Sequence, residues 1–274
     1  MKICTYLGKK IELPKHLLNF YGEDQKANLN THTPYLDEFL YKNRKGFTFF
    51  YGEWSTRHYS VSNLYKKMKG KYSSYFELLG GLGISTSFFS DGIEKNTIIN
   101  DLDDGCLEVV KHNIPEATFF KEDMYNFPFE KIEFDVVLAD YNNNTLHKFI
   151  DTKNNKYNKI STELFSNAKK YFIMNDCTVF HLNVGGKKAY DNVSKALGIT
   201  VTNREEFFRG MKSFYESRFP DWCLTDIEHF RTGAYFLFSK VERKDLEIHY
   251  NDTEEVRKLK PFWIELDPGD EQRK

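Results

Sequence analysis

The 274 residues carry 39 Lys and Arg against 40 Asp and Glu, a net charge of −1 that excludes bulk attraction to nucleic acid or membrane. Four scattered cysteines, Cys4, Cys106, Cys177 and Cys223, form no Cys-x-x-Cys pair; this excludes a zinc knuckle or disulfide framework and points to a reducing, cytoplasmic setting with no metal. The opening residues lack a signal-peptide core and no apolar run is long enough to span a bilayer, so no membrane partner is expected.

Residues 1–72 read as an N-terminal extension. Thr33 followed by Pro34 has helix-start chemistry. Gly46–Gly52 alternates as a short strand, and Ser60–Lys69 reads as a helix stopped by Gly70. Residues 40–72 hold eight Lys or Arg and one acid, Glu53, interleaved with aromatics. Such a mixture can track phosphates and stack on bases. The segment is therefore expected to be a lid or acceptor-binding element, with Arg44, Lys45 and Arg57 as its test residues and nucleic acid as one partner. The competing reading packs the aromatics on the body and leaves the lysines in solvent.

Ser74–Thr86 follows as a strand over Tyr75–Leu79, a glycine turn (Gly80, Gly81, Gly83) and a helix start near Ser85 or Thr86. Glycines here let a ligand approach the backbone, and the following helix directs its free N–H groups at the turn. Neither Gly-x-Gly-x-x-Gly nor Gly-Lys-Ser/Thr occurs, which argues against the usual dinucleotide and ATP loops. Thr97–Asp103 is an apolar run ending in acids, about 20 residues on, where a carboxylate can take both ribose hydroxyls. A helix at Asp104–Asn113 comes next, then strands beginning at Thr118, Phe134 and Lys170. The run at Phe134 is continuously apolar, as in strands covered on both faces. Strands alternating with helices predict a parallel sheet with right-handed crossovers.

These residues together resemble the class I S-adenosylmethionine-dependent methyltransferases over roughly Tyr75–Val241. In that resemblance Glu77 supplies the acid of the first motif, Gly81 and Gly83 match its later glycines, and Leu79 stands where its first glycine belongs, with Gly80 beside it. Asp101, with Leu102 next to it, falls on the ribose-binding acid. Asp123 falls on the adenine-contacting acid, with Met124 set to pack against the ring. The motif facing the methyl group falls on Asp140, Tyr141 and Asn142, so these are the catalytic candidates, Asp140 also touching the cofactor. The implied cofactor is S-adenosylmethionine. The implied fold is α/β: a Rossmann-like, seven-stranded, mostly parallel sheet with helices on both faces and a C-terminal antiparallel hairpin, plus the N-terminal extension.

Asp221–Val241 reads as that hairpin, with its turn at Arg231–Gly233. Asn175, Asp176 and His181 are acceptor-side candidates at the end of the fifth strand. Helices near Tyr190–Ala196 and Arg204–Glu216 form an insertion before the hairpin. The expected organisation is residues 1–72 as extension or lid, 73–243 as cofactor-binding core, and 244–274 as a tail packed on it. The expected activity is methyl transfer to a nucleic acid or nucleotide, or to a small metabolite. An aminopropyl transferase and a non-catalytic binding protein on the same scaffold are the alternatives.

Overall fold

The computed structural model describes residues 2–13, 40–42, 48–50, 54–78, 83–102, 104–123, 126–129, 133–143, 162–176, 178–230, 233–259 and 262–265. In chain order the elements are β1 (Lys2–Tyr6), β2 (Lys9–Leu13), β3 (Leu40–Lys42), β4 (Thr48–Phe50), α1 (Trp54–Met68), β5 (Tyr75–Leu78), α2 (Ile84–Phe89), β6 (Thr97–Asn100), α3 (Asp104–Asn113), β7 (Thr118–Phe120) and β8 (Phe134–Asn143). They continue with β9 (Ala168–Asp176), α4 (Thr178–Leu197), α5 (Arg204–Arg218), β10 (Cys223–Phe230), β11 (Gly233–Ser239), β12 (Glu247–Tyr250), α6 (Glu254–Arg257) and β13 (Phe262–Glu265).

The large sheet has the order β12-β10-β11-β9-β8-β5-β6-β7. Strands β7, β6, β5, β8 and β9 run parallel, β11 lies antiparallel to β9, and β10 closes the hairpin antiparallel to β11. The chain moves outward from β5 to β7, then returns to the other side of β5 with β8. That reversal places the topological switch point between β5 and β8, where ligands of open α/β sheets bind at the carboxyl ends of strands.

The expected Rossmann-like sheet and reversed hairpin are present, with eight strands instead of seven. The extra strand is β12, parallel to β10, with Asp226–His229 facing Glu247–Tyr250. Its alternation explains the addition: Ile248 packs against the core while Glu247 is exposed. The helix at Asp104–Asn113 stands where the pattern placed it. The first-turn chemistry at Thr33 falls outside the described residues, but Leu40–Lys42 is a strand paired with Thr48–Phe50. The chain's two ends meet in a smaller sheet, β13-β1-β2.

Period-two alternation divides the buried strand residues between two cores. Phe76, Leu78, Val137, Ala139, Phe172 and Met174 face the side holding buried residues of α4 and α5. Tyr75, Val136, Leu138, Tyr171 and Ile173 face the side holding those of α1 and α2. Both faces are apolar because both are covered, as a largely parallel sheet requires. On the first side Phe165 stacks on Phe219 at 4.1 Å and meets Phe172 edge-on at 4.4 Å. Burying each such ring is worth about 1.5–3 kcal/mol.

Candidate functional site

Glu77, Asp140, Asn175 and Tyr235 lie on neighbouring strands and on the α1 side of the sheet, since each is two residues from a strand residue of that core: Tyr75, Leu138, Ile173 and Leu237. The row continues by register from Asn175 to Tyr235, Glu228 and His249. A line of polar groups therefore crosses the sheet beneath one helix.

Asp140 is the hub. Its Oδ1 accepts from Arg57 Nη2, from Tyr235 OH at 2.9 Å and from Asn175 Nδ2 at 3.1 Å. Among the described residues its Oδ2 accepts only a longer bond from Ser85 Oγ, 3.3 Å. Arg57 Nε also donates to Tyr235 OH at 2.9 Å. The backbone bulges here: the three residues of β8 between Ala139 and Asn143 oppose the one residue of β9 between Met174 and Asp176. Bulges of this kind re-aim side chains beside binding sites. The strand thus runs through Tyr141 and Asn142, whose side chains lie outside the described residues.

Glu77 is fully buried on β5. Tyr75 OH donates to its Oε2 at 2.7 Å and Thr86 Oγ1 donates to the same oxygen, whereas Oε1 accepts from nothing among the described residues. Burial, reinforced by the negative charge of Asp140, pushes its carboxyl up to about 8. Asn100 Oδ1 at the end of β6 and Asn175 Oδ1 near the end of β9 are also buried without partners among the described residues. Asn100 Nδ2 donates to the carbonyls of Glu122 and Phe120, tying β6 to the segment after β7.

Gly83 caps α2 with φ 75°, a left-handed conformation that suits glycine. A Cβ there would stand 2.8 Å from Val110 Cγ2, so the position also excludes side chains by contact with α3. Leu79, Gly80, Gly81 and Met124 lie outside the described residues. Asp101 is buried directly after β6, Leu102 beside it is exposed, and Asp123 is partly buried after β7. The expected ribose and adenine positions therefore sit at the carboxyl ends of adjacent strands, on the same edge as Glu77. Asp176, at the end of β9, accepts from Thr178 N at 2.6 Å at the start of α4. The His181 side chain lies outside the described residues.

The role of Arg57 was not legible in the sequence, where it counted among the basic residues of the extension. It turns inward to Asp140, as Lys67 turns inward to Asp226 and Glu228 at 2.6 and 3.1 Å. Tyr65 and Tyr72 bond to the body of the protein, to the exposed Asp91 and to the Phe89 carbonyl. Arg44 and Lys45 lie outside the described residues. Asp226, Glu247 and His249 bring one ligand atom each to within 4.8 Å of one another, but Lys67 Nζ also donates to His249 Nε2 at 2.9 Å. An ammonium fills the place a metal cation would take.

These features define a doubly wound α/β chain with a reversed terminal hairpin and a cluster of buried and half-buried polar side chains beside the switch point. No protein-family model and no curated protein matches the sequence. Among solved structures it is similar to an S-adenosylmethionine-dependent methyltransferase from Clostridium acetobutylicum, at 13% identity over 67% of this chain and 91% of that one, TM-score 0.43. It is also similar to an O-methyltransferase family protein from Burkholderia thailandensis, at 12% identity over 68% and 57%, TM-score 0.44. A third is a sugar N-methyltransferase from Streptoalloteichus, at 9% identity over 44% and 48%, TM-score 0.35, so the chain spans about half the length of that protein.

Proposed function

We propose that the chain binds S-adenosylmethionine across the carboxyl ends of β5, β6 and β7 and transfers its methyl group to an acceptor lying over β8, β9 and β11. The observation that carries this reading is that two buried side-chain oxygens near the carboxyl ends of adjacent strands, Glu77 Oε1 on β5 and Asn100 Oδ1 on β6, have no partner among the described residues. Buried polar atoms without partners are costly, so a ligand bringing N–H or O–H donors is favoured there. S-adenosylmethionine carries an ammonium, ribose hydroxyls and an adenine amine. Asp101 follows β6 at the position suited to ribose hydroxyls.

The bound cofactor supplies an electrophilic methyl on a sulfonium, and the protein's part is chiefly to hold the acceptor in line with it. Asp140 is suited to that task through Oδ2, because Oδ1 is already occupied by three donors. Arg57 and Tyr235 keep the carboxylate in place. The acceptor is a nucleic acid or nucleotide, or a small metabolite, and salt separates these: phosphate-tracking binding weakens steeply with ionic strength.

Thermal unfolding with S-adenosylmethionine, S-adenosylhomocysteine, the decarboxylated cofactor, ATP and NAD tests the reading. A ligand at 100 times its Kd stabilises by about 2.7 kcal/mol, which raises Tm by roughly 5 °C in a chain of this size. The shift is expected with the first two compounds. A shift with ATP or NAD alone would overturn the assignment, and preference for the decarboxylated form would favour aminopropyl transfer.

A further inference from the structure

Glu77 is buried, and among the described residues no cation is in hydrogen-bond contact with it. Its partners, Tyr75 on its own strand and Thr86 on α2, are neutral hydroxyls, and both bond to Oε2. From β8 the carboxylate of Asp140 faces it, and from α1 the guanidinium of Arg57, whose charge is committed to Asp140. Two hydroxyl donors on one oxygen, and none on the other among the described residues, bring no positive charge to balance an ionised carboxylate. A buried, uncompensated carboxylate is costly enough to be neutralised instead.

We propose that Glu77 is a proton-releasing subsite for an ammonium group: it is a neutral acid in the unliganded protein, and a ligand ammonium arriving at Oε1 sends its proton to solvent. The ammonium keeps its own protons, the Glu77 O–H bond breaks heterolytically, and buffer takes the proton, so charge balances. The ligand's identity rests on the S-adenosylmethionine reading above, whose methionine end carries the ammonium. Burial and Asp140, which hold the carboxyl at about 8, set the pH range of the effect.

The test is isothermal titration calorimetry of the full chain with S-adenosylhomocysteine at pH 7, in buffers of different ionisation heat. Close to one proton per ligand is expected to be released. Kd should fall about tenfold from pH 6 to pH 7 and level off above pH 8. 5′-Methylthioadenosine, which lacks the ammonium, should release none. Glu77→Gln, which keeps the neutral shape, should bind with no proton release and a flat pH profile. Binding of S-adenosylhomocysteine without proton exchange, or release that survives in Glu77→Gln, overturns the subsite and leaves the cofactor reading standing. Absence of binding by any adenosyl compound overturns the cofactor reading itself. A separate infrared measurement covers that case: the unliganded protein at pH 7 should show a protonated-carboxyl band that Glu77→Gln lacks, and its absence overturns the proposal.

Discussion

Arg57 on α1 and Asp140 near the carboxyl end of β8 are 83 positions apart in the chain and form an ion pair at the centre of the candidate site. The pair joins the N-terminal helix to the strand that bears the proposed acceptor-holding acid. Both side chains are largely withdrawn from water, and Tyr235 bridges them. Removing one partner of such a pair leaves the other charge uncompensated. Arg57→Met is expected to destabilise the fold by about 3 kcal/mol. Arg57→Met with Asp140→Leu should cost less than the two single changes added together. Urea unfolding of the four proteins measures the coupling; a coupling below about 0.5 kcal/mol would mean that the pair is not an energetic unit.

Gly83 is constrained twice, by its left-handed backbone and by Val110. Gly83→Ala is expected to cost about 1–3 kcal/mol. The two causes are separable, since Val110→Ala removes the steric part and leaves the backbone part. If Gly83→Ala costs the same in both backgrounds, the contact with α3 is not a source of the loss.

Most of the sheet was legible because buried strands leave continuous apolar runs. Val136–Ala139 shows this plainly, and its alternation assigns Val136 and Leu138 to one core and Val137 and Ala139 to the other. The acid at Glu77 and the acid cluster after β6 were also readable from their place beside glycines or at the end of a run. The role of α1 was not. Arg57, Ser60, Asn63 and Lys67 recur at intervals of three or four, the spacing of a solvent-facing helical stripe. In the structure that stripe meets Asp140, Tyr235, Asn251, Glu228 and Asp226, because the sheet presents its own polar row to it. A pattern confined to one element cannot show that two polar faces are matched across 160 residues. The same holds for Asn100 and Asn175, whose importance lies in amide oxygens left without donors after tertiary packing.

Lys67 tests the far end of this stripe. It pairs with Asp226 and Glu228, both buried, while Lys244 also reaches Asp226 at 3.3 Å and Asn251 donates to Glu228 at 2.7 Å. With those partners remaining, Lys67→Met is expected to cost roughly 2–3 kcal/mol at pH 7, below the range for a wholly isolated buried charge. Burial alone would raise the Asp226 carboxyl, but Lys67 holds it below its ordinary value. The stability that this depressed acid contributes is present above its unfolded value, near pH 4, and is lost as pH falls through the folded one. The gap between wild type and Lys67→Met should therefore narrow in acid. A gap that stays constant down to pH 3 would remove ion pairing as its cause.

His229 gives the opposite kind of acid sensitivity. It lies buried on β10, edge-on to Phe208 at 6.0 Å and to Tyr250 at 5.5 Å, and neither ring nitrogen has a partner among the described residues. Burial, with a smaller contribution from Arg204 and against the pull of Asp252, lowers its pKa to about 4. The unfolded chain holds this proton near pH 6.5, so between pH 6.5 and 4 it binds more protons than the folded one. Stability from His229 is thus complete above pH 6.5 and drains away as pH falls, by about 1.4 kcal/mol per unit in mid-window and roughly 3 kcal/mol in all. His229→Phe keeps an aromatic ring in the same apolar setting and cannot be protonated. Urea midpoints for both proteins at pH 7, 5.5 and 4.5 are expected to diverge progressively, with the variant less sensitive to acid. Because Asp226 and the other carboxylates titrate in both proteins, the difference isolates the histidine. Parallel curves would show that His229 meets its proton without cost, and would place a hydrogen-bond acceptor beside the ring.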